Sequence, residues 1–213
     1  MEDPDFHRTR LPQDPGDAMN ALAIECSCQN GSVALLNDGS VMRSWGFESP
    51  RGRGTELFDH LESALRDCGD LGLVVVGTGP GRYNGLRASI AAAWGIARAR
   101  GIRFAGVSSL LGYEEPEYFV VGDARAGQWF MAHVADGKFA LPPALFSPQD
   151  ARQFLEPGIP VFATSRLDGL PEAVVAAPRA GVLARQEFVE GLPVPAYLKP
   201  PHITKPATCA TGA

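Results

Sequence analysis

Cysteine is scarce in this sequence. The 213 residues include only Cys26, Cys28, Cys68 and Cys209, which are too few and too unevenly spaced for a disulfide framework. Cys26 and Cys28 fall on one face of a predicted strand, but no Cys-x-x-Cys pair or neighbouring histidine completes a zinc or redox site. We therefore expect reduced thiols and no bound metal.

Positive charge and long apolar segments are also lacking. The chain has 19 Lys and Arg against 24 Asp and Glu, a net charge of −5, so it lacks the basic field that drives strong nonspecific binding to nucleic acid or anionic membranes. No run approaches the roughly 20 apolar residues that span a bilayer, and the first ten residues contain no apolar stretch typical of a signal peptide. These absences predict a cytoplasmic protein without membrane association, whose contact with RNA is local or made through a partner.

Residue patterns typical of catalysis are scarce as well. The four histidines, at positions 7, 60, 133 and 202, do not have metal-binding spacing, and Ser108-Ser109 lacks the Gly-x-Ser-x-Gly elbow of serine hydrolases. Glu25, at the end of the first predicted strand, could hold a metal-bound water in a nucleotide enzyme, with Asp123 as a second carboxylate. Without a nearer partner such a residue is more often a strand end, so the sequence offers few candidates for catalysis.

Local patterns indicate an α/β protein with a mixed sheet flanked by helices. Alternating and continuous apolar runs predict strands, and 3.6-residue periodicity between capping and glycine signals predicts helices. In the first half, the predicted strands cover residues 21–25, 32–37, 41–47, 71–76 and 102–109, and the predicted helices cover 55–68 and 86–100. In the second half, strands are predicted over 118–124, 128–134, 138–142 and 160–165, and helices over 147–156 and 180–190.

These elements predict two domains flanked by terminal tails. We expect a disordered N-terminal tail over residues 1–18, a first domain over 19–109, a smaller second domain over 110–200 and a tail over 201–213. Residues 196–200 are typical of an extended segment that docks on its own domain with Tyr197 as the aromatic anchor.

A glycine-rich loop joins the predicted central strand to the helix that follows. Its sequence, GPGRYNGLR, comprises Gly79, Pro80, Gly81, Arg82, Tyr83, Asn84, Gly85, Leu86 and Arg87. Glycines in such a loop allow backbone amides to approach an anion at a helix N-terminus. However, no Gly-Lys-Ser/Thr follows, and Asn84 stands where the pattern G-x-G-x-x-G requires glycine. The pattern therefore favours a tight strand-to-helix turn over a phosphate site.

The helix after this loop is almost uncharged. From Leu86 to Ala97 its only charge is Arg87, and small residues recur at helical spacing at Ala88, Ala91, Ala92 and Gly95. A surface helix normally keeps a polar stripe, so we favour a partner helix covering this face over packing within the fold alone.

With these motifs the chain resembles the bacterial TsaB (YeaZ) family, subunits of the system that makes threonylcarbamoyladenosine beside the tRNA anticodon. The loop resembles the family pattern GPG-S-[YF]-TGLR. Four further segments match family motifs in the same order: ALAIECS, GVSSL, GDAR and PAYLK. The resemblance covers about residues 20–200.

The resemblance implies the two-domain actin-like ATPase fold (ASKHA, ribonuclease H-like) and a non-catalytic scaffold or activator. Family members lack the metal-binding histidine pair of the related catalytic subunit TsaD, bind TsaD through helices, and assemble with the ATPase TsaE. The implied interface is formed by Leu57, Phe58, Leu61 and Leu65 of the first helix with Ala88, Ala91, Ala92 and Gly95. We further expect a homodimer in isolation, tRNA contact only through the complex, and ATP or ADP only at the interface with the partner, beside the glycine-rich loop.

Three departures from the family pattern weaken the case for an intrinsic ATPase. Glu25-Cys26 replaces Asp-Thr, Arg82 and Asn84 replace serine and threonine, and residues 53–57 are RGTEL where His-Ser-Glu-x-Leu is common. The alternative function is an independent kinase or ATPase of the actin-like class that uses the loop for phosphate and Glu25 for metal. The family has also been labelled as peptidases, but no set of residues in this sequence supports peptidase activity.

Overall fold

The structure, a computed structural model, describes residues 8–9, 19–48 and 55–199 and arranges their strands in two sheets. The first sheet contains seven strands: β1 (Arg8–Thr9), β2 (Asn20–Glu25), β3 (Asn30–Asn37), β4 (Ser40–Glu48), β5 (Leu71–Gly77), β6 (Arg103–Val107) and β12 (Phe188–Glu190). The second contains five: β7 (Glu117–Asp123), β8 (Trp129–Ala135), β9 (Lys138–Phe146), β10 (Val161–Ala163) and β11 (Val174–Val175). Their spatial orders are β1-β12-β6-β5-β2-β3-β4 and β11-β10-β7-β8-β9.

The centre of the first sheet forms as the sequence predicts. β5 lies between β2 and β6 and is parallel to both, and its side chains from Leu73 to Val76 are fully buried. A continuous apolar run is what a strand covered on both faces requires. β2, β3 and β4 form an antiparallel meander, whose turn at Asp38 and Gly39 has both residues at positive φ.

Helices cover both faces of the first sheet. Helices α1 (Thr55–Asp67) and α2 (Tyr83–Arg100) pack on one face through a common core cluster, and the short helix α4 (Ala180–Leu183) packs on the other. α2 ends as predicted at Gly101, whose left-handed φ of 64° lets its N–H bond to the Ala97 carbonyl. None of the helices in the described ranges is long and apolar enough to cross a membrane.

The second sheet also has a core on each face. Helix α3 (Pro148–Phe154) covers one face, and a 3-10 helix (Ser109–Leu111) with neighbouring aromatic residues covers the other. The predicted start of α3 is confirmed, because the Ser147 hydroxyl accepts a hydrogen bond from the Asp150 N–H at 3.1 Å.

The end of the chain differs from the sequence prediction. The helix predicted over residues 180–190 is wrong: α4 ends at Leu183, and β12 then pairs with β6 in the first sheet. Phe188 is buried in the core beneath that sheet, so tertiary pairing outweighs the local helical pattern. α4 and β12 therefore return to the first domain, whereas the sequence predicts that residues 110–200 form the second.

The N-terminal tail also contributes to the fold. Arg8 and Thr9 pair with Val189 and Phe188 at the edge of the first sheet, although residues 1–18 were expected to be a disordered tail. The rest of that segment up to residue 18, residues 49–54 and the predicted C-terminal tail lie outside the described residues.

The glycine-rich loop and the exposed face of helix α2

The glycine-rich loop packs closely on the chain segment that follows β2. The Arg82 N–H donates to the Ser27 carbonyl at 2.7 Å. A Cβ atom at Gly81 would overlap the same carbonyl, and one at Gly85 would overlap the Cys26 carbonyl. These two glycines are therefore needed for the approach of the loop to its own backbone.

Two serines after β6 hold the start of the loop. The Gly79 N–H donates to the Ser109 hydroxyl at 2.9 Å, and the Gly79 carbonyl accepts from the Ser109 N–H and from the Ser108 hydroxyl, each at 3.0 Å. Gly79 itself has a φ of 92°, which favours glycine. The GVSSL segment thus fixes the position from which α2 begins.

Glu25 lies at the meeting point of these segments and is completely buried. Its Oε1 accepts from the Ser27 N–H at 2.5 Å, and its Oε2 accepts from the Ser109 hydroxyl at 2.7 Å. Burial raises the pKa of this carboxyl, and the hydrogen bonds from Ser27 and Ser109 offset part of that rise. Gly77 leaves the space that this side chain occupies, since a Cβ there would overlap the carboxylate. Glu25 therefore joins β2, the end of β5 and the segment after β6.

The sequence did not identify the roles of Ser109 and Gly77. Ser109 is 84 positions from Glu25, and only the GVSSL motif singled it out. Gly77 is the glycine that ends the apolar run of β5. Neither signal specifies a contact with Glu25, because the contact depends on how the strands are ordered in the sheet.

The two cysteines beside Glu25 are buried thiols. Burial raises the pKa of Cys28 to about 12 and also raises the pKa of Cys26. A thiol with a raised pKa is a poor nucleophile and a poor metal ligand. Within the described ranges, no three His, Cys, Asp or Glu residues group together in a way that could hold a metal ion.

Helix α2 presents an exposed face that lacks charge over its middle turns. Ala88, Ala91 and Gly95 are exposed, whereas Ala92 is half-buried against the core. The opposite face, which includes Ile90 and Ala93, packs on the sheet. The predicted small-residue stripe thus lies mainly on the surface of this chain.

Helix α1 places the predicted interface residues in two environments. Phe58 is 55% exposed, and Leu65 is half-buried. Leu57 and Leu61 belong instead to the core beneath the sheet, with about one twentieth of each surface exposed. The prediction that Leu57 and Leu61 contribute to a partner surface is therefore corrected, since both residues face the protein's own interior.

The DAR and PAYLK segments meet at the edge of the second domain. The Asp123 carboxylate accepts from the Arg125 N–H at 2.7 Å, and the Lys199 ammonium donates to the carbonyls of Ala124 and Arg125, both at 2.8 Å. Tyr197 packs against Tyr83 in the first turn of α2, with ring centroids 5.3 Å apart. The predicted aromatic anchor therefore contacts the first domain, whereas the sequence predicts docking on its own domain.

Comparison with protein families and curated sequences gives consistent results. Residues 57–141 match a family model described as TsaD: tRNA N6-adenosine threonylcarbamoyltransferase. An uncharacterised protein of Mycobacterium tuberculosis is 33% identical over 75% of this chain and 81% of its own length. Two proteins named tRNA threonylcarbamoyladenosine biosynthesis protein TsaB match shorter parts. The Escherichia coli protein is 29% identical over 54% of each chain, and the Bacillus subtilis protein 31% over 43% of this chain and 42% of its own.

Solved structures from Pseudomonas aeruginosa show the same fold. A protein described as similar to peptidase YEAZ superposes with a TM-score of 0.64 and 25% identity over 85% of this chain and all of its own. YeaZ superposes with a TM-score of 0.58 and 24% identity over 78% of this chain and 88% of its own. The predicted two-domain actin-like fold is confirmed. Taken with the glycine-rich loop and the other shared motifs, these matches show that the chain belongs to the TsaB (YeaZ) family.

Proposed function

We propose that this chain is a non-catalytic subunit that binds a TsaD-type enzyme in the cytoplasm and supports its synthesis of threonylcarbamoyladenosine on tRNA. Relatives named for tRNA threonylcarbamoyladenosine biosynthesis support the pathway. The exposed small-residue face of α2 carries the proposed mode of action.

That face is suited to contact with another helix. Ala88, Ala91 and Gly95 lie at i, i+3 and i+7, so they form one strip along which a second backbone can approach closely. The exposed ring of Phe58 on α1, which packs on the same sheet face, can add apolar area to such a contact. An exposed strip without charge over two helical turns is typical of an interface.

The family resemblance implies further partners. Without TsaD, a second copy of this chain would cover the strip and form a homodimer. In the complete assembly, a TsaE-type ATPase would join the pair. ATP or ADP, if it binds near this chain, would bind at the shared interface beside the glycine-rich loop.

The state of Glu25 supports an accessory role over an independent kinase or ATPase. Both carboxylate oxygens already accept hydrogen bonds, and the side chain has no exposed surface. A carboxylate that positions a metal-bound water must reach the reacting groups. Gly81 and Gly85, which a phosphate cradle would use, instead leave room for the carbonyls of Ser27 and Cys26.

Co-purification tests the proposal with a matched pair of variants. The tagged protein is expected to bring down TsaD of the same organism. Phe58→Ala should weaken the complex, whereas Phe154→Ala, an equally large ring 48% exposed on α3, should leave it unchanged. Ala91→Glu should weaken binding by roughly tenfold or more, since it would bury an unpaired carboxylate at the contact. No complex with TsaD, or equal effects of the two phenylalanine variants, would reject the proposed interface.

Nucleotide binding to the isolated protein tests the alternative. Titration with ATP and Mg²⁺ is expected to show no micromolar affinity. Micromolar binding that disappears in Glu25→Ala, while the variant remains folded by circular dichroism, would instead indicate an independent enzyme.

A further inference from the structure

Helix α2 carries a second exposed stripe beside the small-residue strip. Its members are Tyr83, Arg87, Trp94 and Arg98, spaced by four, seven and four residues. At about 100° per residue, this spacing places all four within an arc of roughly 60°. The stripe alternates aromatic and guanidinium groups, and no residue of α2 is acidic.

The members of the stripe are accessible and partly pre-arranged. Tyr83 is 47% exposed and Trp94 49% exposed. The Arg87 guanidinium lies 5.0 Å from the centre of the Tyr83 ring and donates to its hydroxyl at 2.6 Å. Tyr197 extends the aromatic surface by packing on Tyr83.

The two arginines have no anionic partner among the residues that the structure describes. In the described part of the chain, neither Arg87 nor Arg98 forms an ion pair, whereas Arg43, Arg66, Arg103 and Arg179 each contact a carboxylate. Glu190 lines the same depression as Trp94 and Arg98, but its carboxylate is paired with Arg103. Two accessible guanidinium groups on an acid-free helix, in a protein of net charge −5, thus form a local site for an anion.

We infer that this aromatic–arginine stripe contacts the tRNA substrate within the assembled complex. Guanidinium groups bind phosphate, and exposed aromatic rings stack on unpaired bases, so their alternation fits a single-stranded segment or loop of RNA. Two arginines supply too little charge to hold RNA alone, which makes the contact an addition to the affinity of the partner enzyme. The inference rests on the proposed function.

The stripe can be tested separately from the partner surface. On the helix, its centre lies roughly 80° from that of the strip formed by Ala88, Ala91 and Gly95. Substitutions of Trp94 and Arg98 therefore remove two of the four members of the stripe and leave the small residues in place. Arg166, an exposed arginine in the second domain, provides a control of equal charge.

The experiment measures the affinity of labelled, unmodified tRNA for the complex of this chain with TsaD, by fluorescence anisotropy over a range of salt concentrations. Trp94→Ala should weaken the affinity about fivefold or more through the loss of base stacking. Arg98→Gln should weaken it and lower the slope of log affinity against log salt by about 0.7–0.9, as expected for one lost phosphate contact. Arg166→Gln should change neither quantity.

The binding of TsaD itself is measured in parallel for each variant. Unchanged tRNA affinity in Trp94→Ala and Arg98→Gln, or an effect equal to that of Arg166→Gln, would overturn the inference while the proposed function stands. Loss of TsaD binding by these two variants would assign the stripe to a protein contact and also overturn it. If the unaltered chain binds no TsaD, the proposed function and the inference both fail.

Discussion

Glu25 replaces the aspartate expected in the family pattern, and its extra methylene brings the carboxylate under three segments of chain. The Ser27 N–H and the Ser109 hydroxyl are satisfied by it, and Ser109 in turn accepts from Gly79. Buried donors without acceptors are costly, so such a network stabilises the loop only when every member is present. One side chain thereby determines where the glycine-rich loop begins.

Stability should depend on pH through Glu25. Its pKa in the folded protein is raised above the ordinary value of 4.5, so the fold binds the proton more tightly than the unfolded chain does. The contribution of this group is fully present below pH 4.5 and is lost as pH rises through the folded pKa. Glu25→Gln cannot ionise, and its free energy of unfolding should therefore increase relative to the unaltered protein above pH 4.5. The limiting slope for one proton is about 1.4 kcal/mol per pH unit.

Urea denaturation of both proteins between pH 4.5 and 8 measures this difference. A change of similar size in Glu115→Gln, which removes an exposed carboxylate outside this network, would assign the effect to net charge instead.

At the scale of elements, sequence patterns predict what is local. β5, α1, α2 and α3 follow from apolar periodicity, caps and glycine stops, all of which act within a few residues. β12 was missed because its pairing with β6 joins positions more than 80 residues apart, and Phe188 alone gives no sign of it. The orientation of Leu57 and Leu61 was missed for a similar reason: the pattern gives an apolar face but not which surface covers it.

In the candidate site, too, local features could be predicted from the sequence and long-range contacts could not. The loop and the small-residue strip could be predicted because glycine and alanine spacing is visible in the sequence. The buried contact of Glu25 with Ser109 could not, since it depends on the strand order. The hydrogen bonds from Lys199 to the carbonyls of Ala124 and Arg125 could not be predicted either, because they depend on the path of the terminal segment across the second domain.

The same substitution should have opposite effects in two neighbouring elements. Gly81→Ala would place a methyl group against the Ser27 carbonyl and should destabilise the protein by about 1–3 kcal/mol, because the loop must move. Gly95→Ala meets no atom within 4 Å on the exposed side of α2 and should stabilise it by about 0.5–1 kcal/mol through helix propensity. Thermal unfolding of both variants measures the difference, and destabilisation by Gly95→Ala would contradict the exposed placement of this face.

At the scale of the whole molecule, the segment after β12 ties the two domains together. The Gly191 N–H donates to the Phe104 carbonyl at 3.0 Å, and the Ala196 N–H donates to the Thr78 carbonyl at 2.8 Å. Both carbonyls belong to the first domain. Leu198 then packs on the core of the second sheet, and Lys199 bonds to its edge. These few consecutive residues thus add to the contacts that hold the two domains together, such as the ion pair between Arg179 and Glu114.

Removing the Lys199 ammonium should loosen the loop it holds. Arg125 and Ala126 adopt left-handed φ values of 61° and 52°, each of which costs about 1 kcal/mol or more for a residue with a Cβ. The ammonium offsets that cost by donating to the carbonyls of Ala124 and Arg125, and hydrogen bonds from a charged donor are among the stronger ones. Lys199→Ala should therefore lower the free energy of local opening by about 1 kcal/mol, which corresponds to roughly fivefold faster amide exchange at Ala124–Gln128.

Lys138→Ala, at the exposed start of β9, should leave that exchange unchanged. Equal exchange in the two variants would show that the loop holds its conformation without the Lys199 ammonium.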